Sequence, residues 1–318
     1  MRIKIVDVWS DFFINMPPLI VELINELNLE LVDDDPDLLI FSAFGKEHLK
    51  KEYDSCVKVL YSLEPFNYEE NILPWWERIL KRLRGRVSLY DVCNRYIKGL
   101  NESHLAITHL YLDSPYHYRL PIPVSQYGFD TIKQVTDLEQ LQVYAQEKTR
   151  FCWFMASHGD QRNKYIRQRD RLFHELCKYK KVDSYGGHLN NMGFRPPYCA
   201  TPHHEMELTK NYKFCIAMEN TSEAGFYTRR VLTPMLVNTI PIVQGNPVMQ
   251  REFNRTSFIN VPDYEDHIEA VVERVIELDQ NQELYANMLQ QPFFTNNELP
   301  NAYQRAPFYE WLQKRLSL

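Results

Sequence analysis

Residues 211–247, NYKFCIAMENTSEAGFYTRRVLTPMLVNTIPIVQGNP, place a buried strand, a polar turn, a helix start and a second strand in one short run. Phe214 to Met218 form an apolar stretch of strand length, Glu219, Asn220 and Thr221 break it, and Ile240 to Val243 form the next strand. In open α/β sheets, ligands bind just beyond such strand ends. Thr228 is an N-cap by residue type, so Arg229 and Arg230 fall in the first turn of the helix that follows. A helix dipole disfavours cations at its amino end. Two arginines there point to an anion held jointly by guanidinium groups and free backbone N–H groups, and a diphosphate fits. The competing reading leaves Arg229 and Arg230 as solvated surface residues.

A chain of 318 residues exceeds the size at which one hydrophobic core usually suffices, so two domains are expected. The strands and helices alternate: strand Ile3–Val8, helix Leu19–Leu27, a short strand at Leu29–Val32, strand Asp37–Phe41, a helix near Lys46–Glu52, then strands Val57–Tyr61 and Leu105–Tyr111. The Pro-rich stretch Pro121–Val124 leads toward a boundary. Helix Asp137–Glu147, strand Cys152–Met155, helix Asn163–Tyr179, the 211–247 unit, strand Phe258–Asn260 and helix Tyr264–Leu278 make a second set. Such alternation implies parallel sheets flanked by helices. The expected division is 1–135, with an insert at about 68–103, then 136–300, and a C-terminal helix over 301–318. No internal repeat is visible.

A net charge of −6 argues against a general nucleic-acid binder, which carries a basic footprint. Six cysteines without a CxxC pair read as reduced thiols, and the chain shows neither a signal peptide nor an apolar run long enough to span a membrane. Cytoplasmic residence is therefore expected. Within the insert, PWWERILKRLRGR combines Trp75, Trp76, Ile79 and Leu80 with Arg78, Lys81, Arg82 and Arg84 on one amphipathic helix. Such a helix either packs on its own domain with a solvated basic face or docks residues 74–86 peripherally on an anionic membrane surface, the inner face for a cytoplasmic protein.

Together these motifs resemble glycosyltransferase family 10, the α1,3/α1,4-fucosyltransferases that use GDP-fucose. YKFCIAMENTSEAGFYTRR with the following IPIVQGNP is similar to the family's donor-site segment. KYKKVDSYGGHLNNMG (Lys178–Gly193) resembles its VDS turn, Arg169 matches the arginine before that turn, and VKVLYSLEP (Val57–Pro65) resembles its first-domain strand ending in GEN. Four matches in the right order form a specific signal. The resemblance implies a GT-B fold, two Rossmann-like domains with the active site in the interdomain cleft, and an inverting, metal-independent transfer of L-fucose to a hydroxyl of a glycan acceptor. Glu64 matches the general base. A carboxylate there would take the proton from the acceptor hydroxyl, worth about 10²–10⁴ in rate. Arg169, Arg230 and the helix amino terminus would stabilise the leaving nucleoside diphosphate. Glu219, Asn220, Thr221, Phe226, Tyr227 and Arg229 complete the implied donor site. No cofactor is implied beyond the nucleotide sugar, and the acceptor partner is a free or membrane-linked glycan such as a glycolipid or lipopolysaccharide.

Several residues depart from the family pattern. Phe226-Tyr227-Thr228-Arg229-Arg230 stands where the family carries Tyr-Val/Ile-Thr-Glu-Lys. Arg230 keeps the lysine's charge, but Arg229 reverses the glutamate's and Phe226 deletes a hydroxyl, which opens a second expectation: the same scaffold with a different nucleotide-sugar donor. A third is a glycan- or nucleotide-binding protein without turnover. Leu63 and Pro65 replace the Gly and Asn flanking the base. His203-His204-Glu205 lacks metal-site spacing and reads as a surface loop, and Asp33-Asp34-Asp35-Pro36-Asp37 reads as a solvated turn.

Overall fold

The structure, a computed structural model, describes residues 1–9, 12–14, 16–65, 98–129, 132, 147–157, 159–195, 202–246 and 248–316. The segment carrying Trp75 and Trp76, and the helix expected over Asp137–Glu147 up to residue 146, lie outside these. The chain divides into two compact units, Met1–Ile132 with Asn301–Leu318, and Lys133–Pro300.

The first unit is built on a parallel sheet of β1 (Arg2–Val6), β2 (Glu30–Leu31), β3 (Leu38–Phe41), β4 (Val57–Ser62), β5 (Leu105–Thr108) and β6 (His117–Arg119), in the order β2-β1-β3-β4-β5-β6. Burial on both faces explains why β3 reads LLIF and β5 reads LAIT rather than alternating. Helices α1 (Pro18–Glu26) and α2 (Ile122–Tyr127) pack on each other. The stretch Pro121–Val124 therefore opens a helix, with Pro121 as its N-cap residue and Pro123 in its first turn, where a missing N–H costs nothing. The helix expected near Lys46–Glu52 is two 3₁₀ turns, Glu47–Leu49 and Lys51–Tyr53, broken by extended Lys50. The acidic run after β2 is tied to β1: the guanidinium of Arg2 donates to Asp35 Oδ2 (2.7 Å) and the Asp34 carbonyl (2.8 Å), and Lys4 Nζ to the Asp33 carbonyl (2.6 Å).

Beyond the carboxyl ends of β1 and β3, His48 is buried between two carboxylates. Its Nδ1 lies 2.6 Å from Asp7 Oδ2 and its Nε2 lies 3.1 Å from Glu102 Oε2, while the ring stacks on Phe41. Asp7 also accepts the backbone N–H groups of Glu47 and His48.

The second unit holds β7 (Arg150–Phe154), β8 (Val182–Ser184), β9 (Tyr212–Ile216), β10 (Ile240–Val243) and β11 (Ile259–Asn260), all parallel, in the order β11-β10-β9-β7-β8. Its helices are α3 (Lys164–Tyr179), α4 (Pro202–Thr209), α5 (Arg229–Leu236), α6 (Ile268–Gln280) and α7 (Gln282–Leu289). Phe154, Ile216 and Ile242 stand in register at the centre of a core that also takes in Leu172, Leu176, Val271 and Val275. The strand order reverses between β7 and β9. In a doubly wound sheet this switch point opens a crevice at the carboxyl ends of the strands. Helix α8 (Arg305–Leu316) packs within the first unit, with Phe308 against Tyr118 and Phe129 and the Trp311 indole donating to the Pro115 carbonyl.

Candidate active site

The two loops that border the switch point of the second unit are stitched together. After β7 the chain reaches Asn163, the buried N-cap of α3, whose Oδ1 accepts the N–H groups of Tyr165 and Ile166. Its Nδ2 donates to the Asn220 carbonyl (2.9 Å), and the Tyr165 hydroxyl lies 2.6 Å from Ser222 Oγ. Thr221 is buried and closes its turn by accepting the Glu223 N–H. The polar turn after β9 is thereby fixed to the amino end of α3.

Glu219 is buried just past β9 and uses both carboxylate oxygens. Oε1 accepts from the backbone N–H and the hydroxyl of Thr228 (2.9 and 2.6 Å), and Oε2 accepts from Arg230 Nη1 (2.5 Å). Thr228 is the N-cap of α5, its Oγ1 accepting the Arg230 N–H. The resemblance implies a donor-site role for Glu219, and its carboxylate lies under the amino end of α5, where it orients Thr228 and Arg230.

Arg169 lies on α3, 1% exposed, with its guanidinium over the Phe154 ring (5.3 Å) and Nε 3.8 Å from Asp170 Oδ1. Asp170 Oδ2 meets His188 Nε2 (2.8 Å) and accepts from Gln161 Nε2 (2.5 Å). His188 belongs to the turn after β8, which wires itself: Asn191 accepts from Ser184 N–H and donates to the Val182 carbonyl, and Asn190 donates to the Gly186 and Phe194 carbonyls. Gly186 is required there, because a Cβ would stand 2.1 Å from the Ala156 carbonyl oxygen.

Phe226 and Tyr227 are both buried. The Tyr227 hydroxyl donates to Asn246 Oδ1 (2.9 Å) and its ring meets Phe253 edge-on, so these aromatics anchor the turn in the core. Arg229 Nε lies 3.4 Å from Oε2 of Glu205 on α4. The segment His203-His204-Glu205 is thus the first turn of a helix and not a surface loop, and Glu205 is only 4% exposed. Burial pushes the Glu205 carboxyl up, while Arg229 and Arg230 pull it back. Among the described residues, no three His, Cys, Asp or Glu side chains converge as metal ligands.

In the first unit, Glu64 stands two residues beyond β4 and is half-buried. Desolvation raises its carboxyl above the ordinary range, which suits a group that must receive a proton near neutral pH. Register pairs Ser62 with Thr108, so His109 follows at the same sheet edge.

Asn163, Ser222 and Asn246 carry no site assignment in the sequence reading, and Glu205 enters it only as part of a surface loop. Asn163 carries an N-cap signal, an asparagine directly before an amphipathic helix; Glu205 carries none that is local.

Residues 145–295 match the family description "Glycosyltransferase family 10 (fucosyltransferase) C-term", and residues 3–76 match "Alpha-(1,3)-fucosyltransferase FucT N-terminal domain". The chain is 28% identical to the alpha-(1,3)-fucosyltransferase FucT of Helicobacter pylori over 163 residues, which is 51% of this chain and 30% of that protein. It is 29% identical to alpha-(1,3)-fucosyltransferase B of Drosophila melanogaster over 140 residues, 42% of this chain and 31% of that protein. The matched segment thus spans under a third of the length of these relatives. A crystal structure of an alpha1,3-fucosyltransferase superposes with a TM-score of 0.69 at 18% identity, covering 100% of this chain and 90% of that one, and its complex with GDP-fucose superposes at 0.66. The fold is therefore GT-B, two doubly wound α/β units, and the chain belongs to glycosyltransferase family 10.

Proposed function

We propose that this protein transfers L-fucose from GDP-fucose to a hydroxyl of a glycan, with inversion at the sugar carbon. The observation that carries the reading is the Glu219–Thr228–Arg230 cluster at the amino end of α5, beside the switch point, in a segment matched to the family's C-terminal description. The second unit binds the donor. The helix amino end and Arg230 receive the diphosphate, and buried Arg169 adds positive charge at the end of β7 as the leaving group becomes more negative. This cationic donor set supports a transfer that needs no metal ion. Glu64 acts as the general base, removing the acceptor proton as the new glycosidic bond forms. The acceptor is a GlcNAc-containing or related surface glycan, free or membrane-linked. Cytoplasmic residence is part of the same proposal and is supported by the free thiols of Cys56, Cys152, Cys177 and Cys215.

One observation favours a second reading in which the donor sugar differs: Arg229 stands where the family carries glutamate, and it is held by Glu205. A thermal-shift panel of GDP-fucose, GDP-mannose, GDP, UDP-sugars and dTDP-rhamnose separates the two. A ligand at about 100 times its Kd stabilises by about 2.7 kcal/mol. A shift confined to GDP and GDP-fucose supports the first reading, a shift with another nucleotide sugar the second, and no shift with any of them sinks both.

A further inference from the structure

Both arginines of the first α5 turn face a buried carboxylate, Arg230 that of Glu219 at 2.5 Å and Arg229 that of Glu205 at 3.4 Å. The two carboxylates differ in their surroundings. Glu219 closes a cap and accepts from Thr228 twice as well as from Arg230. Glu205 comes from another helix, α4: its charged neighbours are Arg229 and Arg230 of α5, its carboxylate bonds the Thr233 side chain, its charge is felt by the buried Cys215 thiol of β9, and Oε2 is buried without a hydrogen-bond partner. A buried carboxylate on this scale is tolerated only where cations compensate it. The amino end of α5 therefore carries two positive and two negative side chains, and its attraction for a phosphate group depends on how that balance is set.

We propose that Glu205 is a positioning residue for the donor site: by holding Arg229 it leaves Arg230 as the arginine that faces the donor diphosphate, and so sets the strength of diphosphate binding. This rests on the reading of the α5 amino end as the diphosphate site. Arg229, at the position where the family carries glutamate, is then offset by a glutamate supplied by α4. Arg229 and Glu205 act as one unit, and neither is understood alone.

The test is a double-mutant cycle read by calorimetric titration with GDP and with guanosine. Glu205→Gln keeps the volume and the Thr233 bond but removes the charge that holds Arg229. GDP binding tightens by about fivefold, the scale of one partly exposed charge pair, while guanosine binding is unchanged. The double variant Glu205→Gln/Arg229→Met returns GDP affinity to the wild-type value, because the released arginine is the source of the gain. Thermal unfolding of each variant reports folding separately. A folded Glu205→Gln protein with unchanged or weaker GDP affinity overturns the proposal, as does a gain that survives in the double variant or extends equally to guanosine. Wild-type protein that binds no GDP overturns the donor-site reading itself, and this inference with it.

Discussion

The side-chain amide of Asn163 donates to the backbone carbonyl of Asn220 over 2.9 Å, joining the cap of the helix after β7 to the turn after β9. One residue thus serves two roles, since its Oδ1 also accepts two N–H groups of the α3 first turn. Asn163→Ala removes both, and stability falls by about 1–2 kcal/mol in denaturant unfolding, with GDP affinity falling as well. Asn163→Asp keeps the cap but not the donated bond, so it recovers stability more than affinity. Equal recovery of both would mean that the cap alone, and not the bond to Asn220, supports the site.

Glu64→Gln lowers kcat by about 10²–10⁴ while leaving GDP binding intact. The wild-type rate rises with pH as the carboxyl loses its proton, and because desolvation raises that group, the inflection sits above the ordinary carboxylate value of about 4.3. A pH–rate profile with its acid limb at the ordinary value contradicts the burial argument. Retained turnover in the glutamine variant would remove Glu64 from the chemistry.

Arg230→Ala raises the donor KM by about ten- to a hundredfold, the cost of one charge-assisted contact with its partner left behind, and leaves the acceptor KM nearly unchanged. Arg230→Lys recovers most of the loss in charge but not the bond geometry to Glu219. Initial rates with each substrate varied in turn provide the check. A parallel loss for donor and acceptor would count against a diphosphate contact.

His48 gives the first unit a pH signature. Burial lowers its basicity, but the bonds and charges of Asp7 and Glu102 outweigh that, and the net direction is up; Asp7, desolvated yet bonded to His48 and two backbone N–H groups, moves down. The Asp7 contribution is present above the unfolded carboxylate value of about 3.9 and is lost as pH falls through its lower folded value. The His48 contribution is complete below about 6.5 and is lost as pH rises through its higher folded value. The stability gap between wild type and His48→Gln is therefore wide at pH about 5.5 and narrower at pH about 9. Chemical denaturation at the two values decides it, and a constant gap would mean that His48 is held by packing alone.

Most of the architecture was legible because parallel strands buried on both faces are written as short apolar runs, as in Leu38–Phe41, Leu105–Thr108 and Ile240–Val243. The three-residue strand His117–Arg119 carries no such run and was not anticipated, its His117 and Arg119 being polar despite their place at the sheet edge. Local grammar also located Thr228 as a cap and the two arginines behind it. What it could not supply was the partner of each charge. Glu219 lies nine residues before Thr228 and looks like a strand-end acid until the turn folds it back, and Glu205 reaches Arg229 only because α4 packs on α5. Long-range pairing of this kind depends on the tertiary arrangement, so a sequence that shows the arginines does not show what neutralises them.

Helix α8 belongs to the first unit although the whole of the second unit precedes it in the chain. On a ribosome, the second unit emerges in one piece and can mature as it appears, whereas the first must wait with Tyr118 and Phe129 uncovered until Phe308 arrives to seal them. The order of birth is thus the reverse of the order of completion, and the interval in which that aromatic surface stands open is set by the time taken to synthesise the second unit.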